Sequence, residues 1–149
     1  MMPISEVFKG EAKVIARQAT IQEAAQLMEE ECIGSVIVVE SDKELKPVGM
    51  ITDRDIVLKT IAHEKDPHEM RVEDVMSADL LTLSQDQRLD EALEAMRSKC
   101  VRRAPIVNEE GKVCGLASVD DLLVTLTGNL NTLANLVKEQ VKAEQTEAD

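Results

Sequence analysis

Apolar positions along this chain change period twice, in the same order in each half. Ile21, Ala25 and Met28 recur at spacings of four and three, which places them on one face of a helix. Leu89, Leu93 and Met96 repeat that face in the second half. Residues 35–39 and 104–107 are instead short β-branched runs, which predict strands. Val14-Ile15 and Leu81-Thr82-Leu83 predict a short strand before each helix. Residues 45–51 and 112–117 predict a third strand in each half, after hairpin turns at 40–44 and 108–111. Thr20-Ile21-Gln22-Glu23 reads as a capping box that opens the first helix. In the second half Arg88 stands where Thr20 does, and Asp86 is the candidate cap. Helices are predicted over about 53–62 and 119–126.

The two halves are an internal repeat. Val7 to Val75, Met28 to Met96 and Cys32 to Cys100 are each 68 residues apart, whereas Thr52 to Ser118 and Asp55 to Asp121 are each 66 apart. The missing two residues belong to the shorter second hairpin turn. Each repeat reads as strand–helix–strand–strand–helix, an α/β (α+β) class. One such sheet is too small to cover both its faces, so the repeats are expected to pack together. The expected boundaries are 7–66, 72–127 and a C-terminal helix with an acidic tail over 129–149. Ile4 to Lys9 reads as a short helical lead-in, with Val75-Met76 in the same relation to the second repeat. His63 to Met70 reads as a solvated joint. After Gly128-Asn129 the chain is expected to turn helical again, because Leu126, Leu130, Leu133, Val137 and Val141 step by four, three, four and four. That stripe either folds back on its own module or meets a second copy.

Composition narrows the chemistry. Phe8 is the one aromatic residue among 149, so the core must be aliphatic and there is no stacking platform for single-stranded nucleic acid. A net charge of −12 repels nucleic acid and anionic membrane surfaces, and leaves an anionic small molecule dependent on a local positive spot. Cys32, Cys100 and Cys114 lack metal-ligand spacing, and Cys32 and Cys100 read as core residues. There is no signal-peptide pattern and no apolar run near the roughly 20 residues of a membrane span, so a reducing cytoplasm is the expected compartment.

The candidate chemistry lies at Gly49-Met50-Ile51-Thr52-Asp53-Arg54-Asp55, repeated as Gly115-Leu116-Ala117-Ser118-Val119-Asp120-Asp121. Each reads as the end of a strand, a hydroxyl residue, then an aspartate three further on at a helix start. A hydroxyl beside free helix N-terminal N–H groups suits a phosphate. The aspartate can accept hydrogen bonds from the neighbouring hydroxyls of a ribose. The same residues also read as plain helix caps, with no ligand at all.

With Asp74-Val75-Met76 ahead of the second repeat, these duplicated motifs resemble a tandem pair of cystathionine-β-synthase-type (CBS) domains, a Bateman module, from about Val7 to Leu126. The resemblance implies two repeats packed about a pseudo-two-fold axis with clefts that bind AMP, ADP or ATP, and in some members S-adenosylmethionine. It implies phosphate contacts for Thr52 and Ser118 and ribose contacts for Asp55 and Asp121, with adenine near Ile15 and Leu83. It further implies a homodimer and a regulatory role, here acting on a partner in trans. Arg102 and Arg103 match positions where basic residues of such modules meet phosphate; the first repeat has Gly34-Ser35 there, with Arg54 as its nearest positive charge. The expectation is a stronger site of Ser118, Asp121, Arg102 and Arg103, and a weaker one of Thr52 and Asp55. No cofactor or metal is required. The competing readings are an adaptor whose clefts bind nothing and an S-adenosylmethionine sensor. Catalysis is not expected, since both His lie in the joint and no nucleophile triad or P-loop appears.

Overall fold

The computed structural model describes residues 2–148. The chain forms two compact units, the first ending at Ala117 and the second beginning at Ser118. In the first unit the order is α1 (Ile4–Val7), β1 (Val14–Ala16), α2 (Ile21–Glu31), β2 (Ser35–Val39), β3 (Pro47–Thr52) and α3 (Asp53–Lys59). It continues with β4 (Leu83–Ser84), α4 (Leu89–Lys99), β5 (Arg103–Val107) and β6 (Val113–Ser118), whose last residue opens the second unit. Short 3₁₀ turns at Ile61–His63 and Val72–Asp74 lie between α3 and β4. The repeat seen in the sequence recurs in the middle of each half. α4 begins and ends 68 residues after α2, as β5 does after β2, and β6 follows β3 by 66.

Two three-stranded sheets result, in the orders β1-β2-β3 and β4-β5-β6. β1 runs parallel to β2, with Ile15 opposite Val38, and β4 runs parallel to β5, with Leu83 opposite Ile106. Parallel neighbours need a crossover, which α2 and α4 supply. β2 and β3 are antiparallel, with Ser35 opposite Thr52. α2 buries Ile21, Ala24 and Met28 against Val36, Val38 and Ile51. Ala25 is only partly buried, so the buried face is turned slightly from the predicted one.

The lead-in segments are exchanged between the repeats. The Ile4 N–H donates to Gln87 O and the Leu89 N–H to Met2 O, tying α1 to the start of α4. Sixty-eight residues on, the Val72 N–H donates to Ala19 O and the Ile21 N–H to Met70 O, tying the second lead-in to the start of α2. Val72 and Val75 are buried in the first repeat's core. The Arg17 guanidinium donates to Glu73 at 2.8 Å and to Glu40 at 3.1 Å, and these bonds raise its pKa above the ordinary value. The joint is therefore more than a solvated linker: His63 and His68 are exposed, but Pro67 and Met70 accept hydrogen bonds from the first turn of α2.

Three other expectations change. Cys32 and Cys100 are exposed rather than core, because each ends its helix in the left-handed region, with φ 54° at both. A residue in that conformation carries its side chain away from the face that the helix buries. Asp86 does not cap α4; Arg88 holds the N-cap position without a side-chain cap bond. In the second unit a single helix, α5, runs unbroken over Val119–Ala148, straight through Gly128-Asn129. A glycine lowers helix stability but does not stop a helix.

Candidate ligand-binding site

The first glycine–hydroxyl–aspartate segment crosses from β3 into α3. Thr52 is the N-cap: its Oγ1 accepts the Asp55 N–H at 3.1 Å, and Asp55 Oδ2 accepts the Thr52 N–H at 3.1 Å. Asp55 Oδ1 also lies 3.4 Å from Lys59 Nζ, whose ammonium donates to Val75 O. The capping box predicted as the plain reading is thus formed in full. Thr52 Oγ1 accepts in that box and keeps its own hydroxyl proton to donate. Gly49 has a packing reason rather than a ligand reason. A Cβ there would sit 2.7 Å from Ser77 O and 2.7 Å from Met76 Sδ, because the second lead-in pairs with β3 at Met50 and Ser77.

Around Thr52 a cavity of about 630 Å³ opens. Gly34, Ser35, Thr52, Asp53, Arg54, Arg102 and Arg103 line it, three arginines among seven residues. The convergence follows from the repeat. Gly34-Ser35 and Arg102-Arg103 are equivalent turns, 68 residues apart, each leading from a helix into the middle segment of its repeat. Both turns border the same cavity, so the small pair leaves room and the arginine pair supplies charge. Asp53 stands at the glycine turn. Its N–H donates to Gly34 O at 3.0 Å, and its Oδ2 would lie 3.1 Å from a Cβ on residue 34. The cavity's lining includes one aspartate and three arginines, in a chain of net charge −12. Arginine forks match phosphate oxygens in pairs.

This grouping differs from the one expected. Arg102 and Arg103 border the cavity of Thr52 and Arg54, the motif that was expected to be the weaker one. Asp55 is not among the lining residues; its carboxylate is engaged by Thr52 and Lys59. Ile15 and Leu83 are core side chains, 9% and 1% exposed, and neither lines the cavity. In the second unit Ser118 is buried, and its Oγ accepts the Asp121 N–H at 3.4 Å, while Asp121 is exposed. Gly34, Ser35 and Asp53 were not foreseen as cavity residues. The signal was in the offset itself, which pairs Gly34 with Arg102 and Ser35 with Arg103.

The CBS domain family model matches this chain twice, at residues 4–60 and 72–128. The chain is 35% identical over 129 residues to the CBS domain-containing protein YhcV of Bacillus subtilis, covering 87% of this chain and 89% of that one. It is 36% identical over 120 residues to an uncharacterized protein of Methanopyrus kandleri, covering 80% of this chain and 60% of the relative's length. The solved CBS domain pair of protein MJ0100, in complex with 5'-methylthioadenosine and S-adenosyl-L-methionine, has the same fold (TM-score 0.71, 22% identity, 87% of this chain and 98% of that one). The chain belongs to the CBS domain family, as a tandem pair of repeats. Among the described residues no helix is long and apolar enough to cross a membrane.

Proposed function

We propose that this CBS pair is a regulatory sensor of an adenine nucleotide (AMP, ADP or ATP), which it binds through phosphate at the cavity of Thr52, Arg54, Arg102 and Arg103. The observation that carries the reading is the convergence of three arginines and two hydroxyl side chains on one cavity of a strongly acidic chain. Binding biases the module toward one conformation, and that bias is passed to a partner protein in trans. The chain's role is to bind and report, not to catalyse.

Two observations favour other readings. The MJ0100 pair holds adenosine-derived ligands without phosphate, which favours S-adenosylmethionine. The closed Thr52–Asp55 capping box gives the motif a purely structural use, which favours an adaptor. Titration calorimetry separates the three, since the chain has no Trp or Tyr to report by fluorescence. For the nucleotide reading, AMP, ADP or ATP gives saturable heat, and Arg103→Ala weakens binding by about 10-fold or more, the worth of a hydrogen bond to a charged group. S-adenosylmethionine binding that is indifferent to Arg103→Ala transfers the site to the second reading. Silence from all four ligands at millimolar concentration leaves the adaptor.

A further inference from the structure

Asp53 is the one acidic residue among the seven that line the cavity, and a carboxylate is the wrong charge for a phosphate site. Its N–H donates to Gly34 O at 3.0 Å, which holds the residue against the Gly34 turn. Oδ1 accepts the Arg54 N–H at 2.8 Å, whereas Oδ2 accepts from no donor among the described residues.

Gly34 and Asp53 form a matched pair. The backbone at Gly34 is not in the left-handed region, so its conformation does not call for glycine. What a side chain there would meet is the Asp53 carboxyl group: Oδ2 at 3.1 Å, Cγ at 3.4 Å and Oδ1 at 3.5 Å are the three nearest atoms to a Cβ. The missing side chain leaves room for that carboxylate. The offsets of 68 and 66 put Arg102 in the place of Gly34 and Val119 in the place of Asp53, so the second repeat has neither member of the pair. Asp53 and Arg54 also line a second cavity, of about 360 Å³, whose other lining residues are Val57 and Leu58. A phosphate chain that ran past Asp53 into it would leave Thr52, Arg102 and Arg103 behind and meet two apolar side chains.

We propose that Asp53 is the specificity residue of this cavity and limits it to a nucleoside monophosphate. This narrows the nucleotide reading above and rests on it. A single phosphate takes the arginines and hydroxyls of the larger cavity without passing the carboxylate. Each further phosphate adds negative charge near Oδ2, which has no hydrogen to offer it. One unit charge repelling another about 4 Å away in water changes affinity about five-fold. Discrimination against ATP thus comes from a repulsive group, beside the attractive ones that ADP and ATP share with AMP.

The test is titration calorimetry of the full chain with AMP, ADP and ATP in EDTA, for the wild type, Asp53→Asn and Asp42→Asn. Asparagine removes the charge and keeps the carbonyl oxygen that accepts the Arg54 N–H. Asp42 is an exposed carboxylate of the first hairpin turn, so its variant makes the same change in net charge away from the cavity. The wild type is expected to bind AMP about five-fold or more tighter than ATP. Asp53→Asn is expected to narrow that ratio about five-fold, and Asp42→Asn to leave it unchanged. A wild type that prefers ATP, or an unchanged ratio in Asp53→Asn, overturns the proposal and leaves the nucleotide reading standing. An equal shift in Asp42→Asn overturns it too, because net charge and not position would then be responsible. In a second series with millimolar magnesium, weaker ATP binding by Asp53→Asn than by the wild type would assign the carboxylate to a metal ion and overturn it as well. Silence from all three nucleotides overturns both this proposal and the reading it rests on.

Discussion

The bounds of α2, β2 and β3 recur in α4, β5 and β6, and the repeats differ where helices start and where turns face the cavity. α2 and α4 have the same length and end on the same left-handed cysteine. Yet α2 opens on the reciprocal Thr20–Glu23 box and α4 on an uncapped Arg88. Thr52 and Asp55 exchange two hydrogen bonds, whereas Ser118 receives one long bond from Asp121. Gly34-Ser35 leaves room where Arg102-Arg103 brings charge. A duplicated sequence must keep the periodicity that buries each sheet, since slipping one residue turns a strand inside out. A cap or a turn residue is worth only about 1 kcal/mol, and so it is free to diverge toward separate roles.

The contrast can be broken most strongly at the two motif glycines. Gly49→Ala drives a Cβ into Ser77 O and is expected to cost about 2 kcal/mol, because a backbone carbonyl held by a paired strand cannot step aside. Gly115→Ala meets only Ile106, at ordinary contact distance, and is expected to cost less than about 0.5 kcal/mol. Urea unfolding of both variants checks this; equal losses would mean that the two glycines have one common role. Caps come next. Thr20→Ala is expected to lose about 1 kcal/mol, and Arg88→Thr to gain somewhat less, since Glu91 already stands three residues on to complete a box. The exposed Arg88–Asp90 pair that is lost contributes little. Opposite signs in thermal denaturation sharpen the comparison, and a loss in both would refute it. The smallest effect tests what the repeats share. Cys32→Gly and Cys100→Gly each relieve a left-handed residue and are expected to stabilise by about 0.5 kcal/mol, equally in both repeats. The readout is again the urea midpoint.

Much of this was legible in the amino-acid sequence. The strand–helix–strand–strand–helix order, the 68-residue offset and the Thr20 box all appear where the pattern put them, because periodicity and capping are local properties. The cysteines were not legible. Burial was inferred from residue type, but a helix end in the left-handed region overrides type. Gly128-Asn129 read as a break between two helices, although the stripe from Leu126 to Leu130 already carried the helical period across it. The candidate site was half legible: Thr52, Arg54, Arg102 and Arg103 were each singled out, but in two different groups.

What the sequence by itself determined is the pair of repeats, their secondary structure and the inventory of groups suited to phosphate. What only the tertiary structure decided is who meets whom. The exchange of lead-ins puts Val72 and Val75 into the first repeat's core and presses Ser77 against β3, which explains Gly49. The equivalent turns of the two repeats converge on one cavity, which brings Arg102 and Arg103 to Thr52 across about fifty residues of chain. Such contacts depend on how whole repeats pack, and packing is a property of surfaces assembled from distant segments. No local pattern of residues encodes it.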